Sequence, residues 1–102
     1  MKYTEEVFLK LWKQSKSDLR KVLSLVRSLL YDREDGIRHI NYIQNDLYER
    51  HIIPFKVSSE QDYDKIDKYK GNINVVLLLE YFYLANTELK RLRNEIYQAP
   101  RI

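Results

Sequence analysis

The side chains that could do acid–base or metal chemistry are few. The only histidines, His39 and His51, stand twelve residues apart, and cysteine is absent. Zinc and its relatives take histidine, thiolate or carboxylate donors at characteristic separations, such as a histidine pair one helical turn apart, and neither histidine belongs to such a set. Asp35 and His39 are four residues apart, so a helix would bring a carboxylate to an imidazole as the first half of a general-base unit. The same spacing is that of an ordinary exposed ion pair near a helix start, which is the reading preferred here. Asp62, Asp64 and Asp67 read as the solvated, N-terminal side of a short helix. With Gly36 and Gly71 the only glycines, no phosphate loop, dinucleotide fingerprint or nucleophile elbow can be built. The expectation is a protein without catalytic residues, metal or cofactor.

Two groups of residues could bind instead. Nine tyrosines exceed what one small core can provide with hydroxyl partners, so some must reach the surface, where tyrosine is enriched at binding hot spots. Tyr42, Tyr48, Tyr81, Tyr83 and Tyr97 are the candidates for a partner-binding groove. The other group is basic: Lys10, Lys13, Lys16, Arg20 and Arg27, with Lys21 beside them, form a cationic face that could follow a phosphate backbone. Residues 1–31 hold seven basic and three acidic side chains. The short helix, tight turn and recognition helix of a helix-turn-helix are not evident.

These side chains must be positioned by helices. Phe8, Trp12, Leu19, Val22, Val26 and Leu29, with Ser15 at the seam, keep a 4-3-4-3 spacing, which predicts one amphipathic helix from Thr4 to Tyr31. Thr4 is its N-cap, and Glu5 and Glu6 oppose the positive helix end. The alternative is a split near Gln14, with Ser15 and Asp18 as a capping box. Asp32 to Gly36 reads as a turn. Ile37, Ile40, Ile43, Leu47 and His51 predict a second helix to about Arg50, broken by Ile52-Ile53-Pro54-Phe55 because proline disfavours a helical residue before it. Ser58 or Ser59, with Gln61 or Asp62 three residues on, opens a short third helix carrying Tyr63, Ile66 and Tyr69, ended by Gly71. A last helix opens near Asn72 or Asn74 and runs through Val75, Leu78, Phe82, Ala85, Leu89, Leu92 and Ile96 to Pro100. A buried strand at Val75 to Tyr83 competes with its first half. The fold class expected is all-α, a bundle of about four helices in one domain over residues 1–102.

A shift of 49 residues lays Ile40 to Tyr48 over Leu89 to Tyr97, matching Asn45 with Asn94, Asp46 with Glu95 and Tyr48 with Tyr97. Val26, Leu29 and Leu30 fall on Val75, Leu78 and Leu79. Read as a duplication, this divides the chain into halves 1–51 and 52–102, each a helical hairpin, related by an approximate twofold axis with a groove along the junction. In its length, lack of cysteine, richness in Tyr and Ile, and paired Tyr-ending segments, the chain resembles the small proteins of filamentous viruses that infect hyperthermophilic archaea. That resemblance implies an interaction role inside an infected cell.

At 102 residues, 32% charged and a formal charge of +3, the chain has the balance of one globular domain. Two alanines among so many helical positions point to codon bias in an AT-rich genome, that of a phage, an archaeal virus or a low-GC bacterium. The missing cysteines and the lack of a signal-like N-terminus make a cytoplasmic setting, the host cytoplasm if viral, the default expectation. The longest apolar stretch, Val75 to Ala85 with Glu80 inside it, is about half of a bilayer crossing. The function expected is a non-enzymatic interaction module holding a protein, a peptide or a second copy of itself. A small DNA- or RNA-binding regulator is the alternative.

Overall fold

A computed structural model describes residues 3–97, with backbone only for 33–34 and 89–97. Five α-helices and one 3-10 turn follow in order: α1 (Glu5–Ser15), α2 (Leu19–Leu30), α3 (Arg33–Glu49), the 3-10 turn Glu60–Asp62, α4 (Tyr63–Lys68) and α5 (Ile73–Tyr97). The chain is an all-helical bundle, and no strand occurs among the described residues, so Val75 to Tyr83 is helix. α2, α3 and α5 pack on one another in a central triangle, α1 folds back along α2, and α4 leans on α5. Val22, Leu25, Val26 and Leu29 from α2, Ile37, Ile40, Ile43 and Leu47 from α3, and Val75, Leu78, Leu79, Phe82 and Ala85 from α5 fill the centre; Phe8 and Trp12 close it from α1.

The single helix expected from Thr4 to Tyr31 is two helices. Thr4 does cap the first, its Oγ1 accepting from Val7 N–H at 3.2 Å. The break comes at residues 16–18, where Asp18 turns extended and its Oδ1 accepts from Arg20 N–H at 3.0 Å, capping α2. Folded into a hairpin, both halves of the stripe face one core, and the 4-3-4-3 spacing survives because each helix keeps its own inner face.

The turn expected over Asp32 to Gly36 is also shorter than its composition suggests. Only Tyr31 and Asp32 separate α2 from α3, and Gly36 lies buried in the first turns of α3. A Cβ on Gly36 would run into the backbone carbonyl of Leu29, so glycine here permits two helices to touch. The far end of α3 shows the reverse. His51, expected on the apolar stripe, leaves the helix with φ 60°. Its N–H donates to Tyr48 O at 3.0 Å and Ile52 N–H to Leu47 O at 2.9 Å, the paired bonds of a Schellman motif whose left-handed position is usually glycine.

The connector after α3 is fixed by carboxamides. Buried Gln44 accepts from Val57 N–H at 2.8 Å and donates back to Val57 O at 3.4 Å. Asn86 of α5 donates to the same Val57 carbonyl and to Phe82 O. Beyond it, Asp62 forms the expected capping box with Ser59 and accepts from Ser58 N–H at 2.8 Å and Ser59 N–H at 3.0 Å. Asn72 opens α5, its Oδ1 accepting from Asn74 N–H at 2.8 Å. In residues 1–51 lie three helices and in 52–97 two, and the segments matched by the 49-residue shift fall on α2 plus α3 in the first half but on α5 alone in the second.

Gly36→Ala is expected to lower stability by about 1–3 kcal/mol through overpacking, despite alanine's better helix propensity, whereas His51→Gly raises it by roughly 0.5–1 kcal/mol by relieving the left-handed residue; urea denaturation measures both. The Ser58 amide above all, then the Ser59 amide and Lys65, hold the Asp62 carboxyl below its ordinary 3.8 against the opposing effect of burial. Because the folded value is depressed, this stabilisation is present above the unfolded value and is lost as pH falls through the folded one. Asp62→Asn should therefore cost about 1 kcal/mol at pH 7, with the gap closing in acid below about pH 4, as followed by denaturation at a series of pH values.

Candidate functional site

Two concave surfaces flank α1. The first, a cleft of about 470 Å³, opens between the start of α1 and the middle of α3 and is lined by Tyr3, Thr4, Glu5, Phe8, Leu9, Asp35, Arg38, His39 and Tyr42. Amphipathic spacing builds it: Phe8 turns inward on α1, and His39 and Tyr42 stand one turn apart on the face of α3 that meets it. The His39 ring stacks on Phe8 with centroids 4.2 Å apart and planes at 15°. Tyr42 meets the same phenyl edge-on at 5.6 Å, and its ring stays half exposed.

Asp35 and His39 do not pair. Asp35 faces Arg38 at 4.0 Å on the open rim, while His39 Nε2 lies 3.1 Å from the carbonyl of Tyr3. A carbonyl only accepts, so Nε2 carries the proton there. Tyr3 N–H in turn donates to Asp32 Oδ2 at 2.9 Å. The chain entering α1 is thus tied to α3 through both its backbone groups, and His39 is used in positioning it. His51 lies at the other end of α3. No group of three or more His, Asp or Glu side chains gathers to hold a metal among the described residues. Asp62, the buried member of the expected acidic side of α4, is occupied by its amides and by Lys65 at 3.3 Å.

The second surface is a groove of about 420 Å³ between α1 and α2, lined by Tyr3, Leu11, Ser15, Arg20, Lys21, Ser24, Leu25 and Ser28. Lys10 and Lys13 lie on the outer side of α1, Lys16 at its end and Arg27 on the outer side of α2, all exposed. The straight cationic stripe expected from sequence is therefore folded across two antiparallel helices.

Of the five tyrosines proposed from sequence, the four with described side chains lie at separate places. Tyr42 lines the α1/α3 cleft. Tyr48 lies under Lys56, whose ammonium stands 5.5 Å from its ring centroid. Tyr83 packs against Tyr63 at 5.3 Å, and Tyr81 is half-buried against the core. Tyr97 falls in the last turns of α5, where side chains are outside the described residues. The cleft lies within the first half of the chain and not between the halves. Sequence reasoning passed over Phe8 and Tyr3 as site residues; the hint was the i, i+3 pair His39 and Tyr42, on the flank of an apolar stripe. No family model, curated protein or solved structure matches the chain.

α1 is anchored on α3 at a third point. The indole Nε1–H of Trp12 donates to Asp46 Oδ2 at 3.0 Å, and the Arg50 guanidinium reaches the same oxygen at 3.4 Å while lying 5.8 Å from the Trp12 ring centroid. Asp46→Ala leaves the indole N–H without its partner and should cost about 1–2 kcal/mol. Trp12, the only tryptophan, reports it directly: its fluorescence should follow the same transition at lower urea than in the wild type.

Proposed function

We propose that the protein is a non-enzymatic interaction module that holds a peptide or helix of a protein partner in the cleft between α1 and α3. The observation that carries this is the cleft's make-up: about 470 Å³ walled by four aromatic or imidazole rings, within the size range of ligand sites. Tyr42 keeps 49% of its surface in solvent and Leu9 41%, so large apolar area stands ready at small entropic cost. Glu5, Asp35 and Arg38 give the rim both signs of charge, which suits a peptide backbone with mixed polar groups. His39 is spent on holding Tyr3 and Phe8, consistent with a recognition role and not with proton transfer. An interaction role is also what the resemblance to small archaeal viral proteins implies. No helix among the described residues is long and apolar enough to cross a membrane.

Selection of 12-residue displayed peptides on the immobilised protein, followed by a two-dimensional amide NMR titration with the best binder, tests the reading. Amide shifts should cluster at Leu9, His39 and Tyr42, and Tyr42→Ala should weaken binding by roughly tenfold or more with an unchanged circular dichroism spectrum. Peptides that map elsewhere, or bind Tyr42→Ala as well as the wild type, would remove the cleft as the docking site.

A further inference from the structure

On α3 and α4, Arg38, Arg50 and Lys65 each face a carboxylate one turn away. On the α1–α2 hairpin, Lys10, Lys13, Lys16, Arg20, Lys21 and Arg27 are all exposed, and none is paired with a carboxylate among the described residues. The only acid between Val7 and Tyr31 is Asp18, and its carboxylate is occupied in capping α2. Residues 1–31 carry seven basic against three acidic side chains, and residues 32–102 eleven against twelve. The positive field of the molecule is concentrated on one hairpin.

That hairpin is also concave. Arg20 and Lys21 stand in its groove with the hydroxyls of Ser15, Ser24 and Ser28, the mixture of cationic and hydroxyl donors that binds phosphate oxygens. One turn beyond Ser28, on the same outer face of α2 as Arg20 and Ser24, Tyr31 leaves 90% of its surface in solvent. A phenol ring so placed packs on nothing in the fold. A cationic groove ending at a free aromatic ring is how proteins hold unpaired strands: phosphates along the groove, a base stacked on the ring. Arg20 and Lys21 line the groove itself, and Lys10, Lys13, Lys16 and Arg27 stand exposed around it on the same hairpin.

We propose that the α1–α2 groove binds single-stranded nucleic acid, with Arg20, Lys21 and the three serine hydroxyls on the phosphates and Tyr31 stacking a base. The groove shares only Tyr3 with the α1/α3 cleft, and none of the residues assigned to nucleic acid lines that cleft, so each reading stands or falls without the other.

Fluorescence anisotropy with a labelled 15-mer of deoxythymidine tests it, with inorganic polyphosphate and a 20-base-pair duplex as the other probes. Affinity for the 15-mer should fall steeply between 50 and 200 mM salt. Arg20→Ala with Lys21→Ala should weaken it roughly tenfold or more and flatten the log–log salt dependence by about one to two. Tyr31→Ala should cost about fivefold or more on the 15-mer and nothing on polyphosphate, Tyr31→Phe should retain affinity, and Lys68→Ala should leave it unchanged. All these positions except Lys21 and Arg20 lie outside the groove walls, and all are exposed, so folding is checked simply by circular dichroism. Absence of binding at 50 mM salt overturns the proposal, as does a Tyr31→Ala protein that binds the 15-mer like the wild type. Tighter binding of the duplex overturns it in favour of a double-stranded target.

Discussion

One short extended segment holds the bundle's halves together. After α3 the chain has neither helix nor sheet partners, yet Val57 is buried, and a buried peptide group without hydrogen bonds is costly. Gln44 from α3 and Asn86 from α5 supply them, gripping the same peptide from both sides. The connector thereby becomes a polar seam between two helices that otherwise meet through apolar side chains. With its path fixed, Ile53 and Val57 turn into the core and Ser58 and Ser59 reach Asp62, which starts α4. The position of α5 against α3, and with it the central triangle, follows from this arrangement.

α1 is attached differently. It touches the triangle through three separate anchors: the Tyr3 backbone on Asp32 and His39, Phe8 between His39 and Tyr42, and Trp12 on Asp46. Between these anchors α1 borders two concave surfaces, the cleft against α3 on one flank and the groove against α2 on the other. Tyr3 lines each of them.

Much of this was legible in the residues. The apolar spacings of α3 and α5, the Thr4 cap, the Ser59 to Asp62 box and the break at Pro54 each have a local cause, so local patterns show them. The errors share a different cause. A 4-3-4-3 stripe reads the same in one long helix and in a hairpin whose two arms face one core, so Asp18 alone marked the break. Gly36 reads as a turn because glycine often makes one, while its use here is the contact with Leu29, seven residues away and in another helix. His51 occupies a position where glycine would have announced the helix end. A shared groove depends on tertiary packing, which the spacing of the tyrosines does not encode; of the four with described side chains, Tyr42 lies in the α1/α3 cleft, through Phe8 on another helix.

The Val57 seam has a consequence in time. α1 and α2 are joined by three residues and α2 and α3 by two, so their contacts close short loops at small entropic cost and can form quickly. Gln44 reaches Val57 across thirteen residues, but Asn86 reaches it across twenty-nine. On a ribosome the N-terminal hairpin and α3 emerge before Asn86 does, leaving the apolar inner faces of α2 and α3 uncovered until α5 arrives. The order of synthesis thus makes the nascent chain most prone to aggregation in the interval between the exit of Leu47 and that of Ala85, a vulnerability set by topology and not by the stability of the finished bundle.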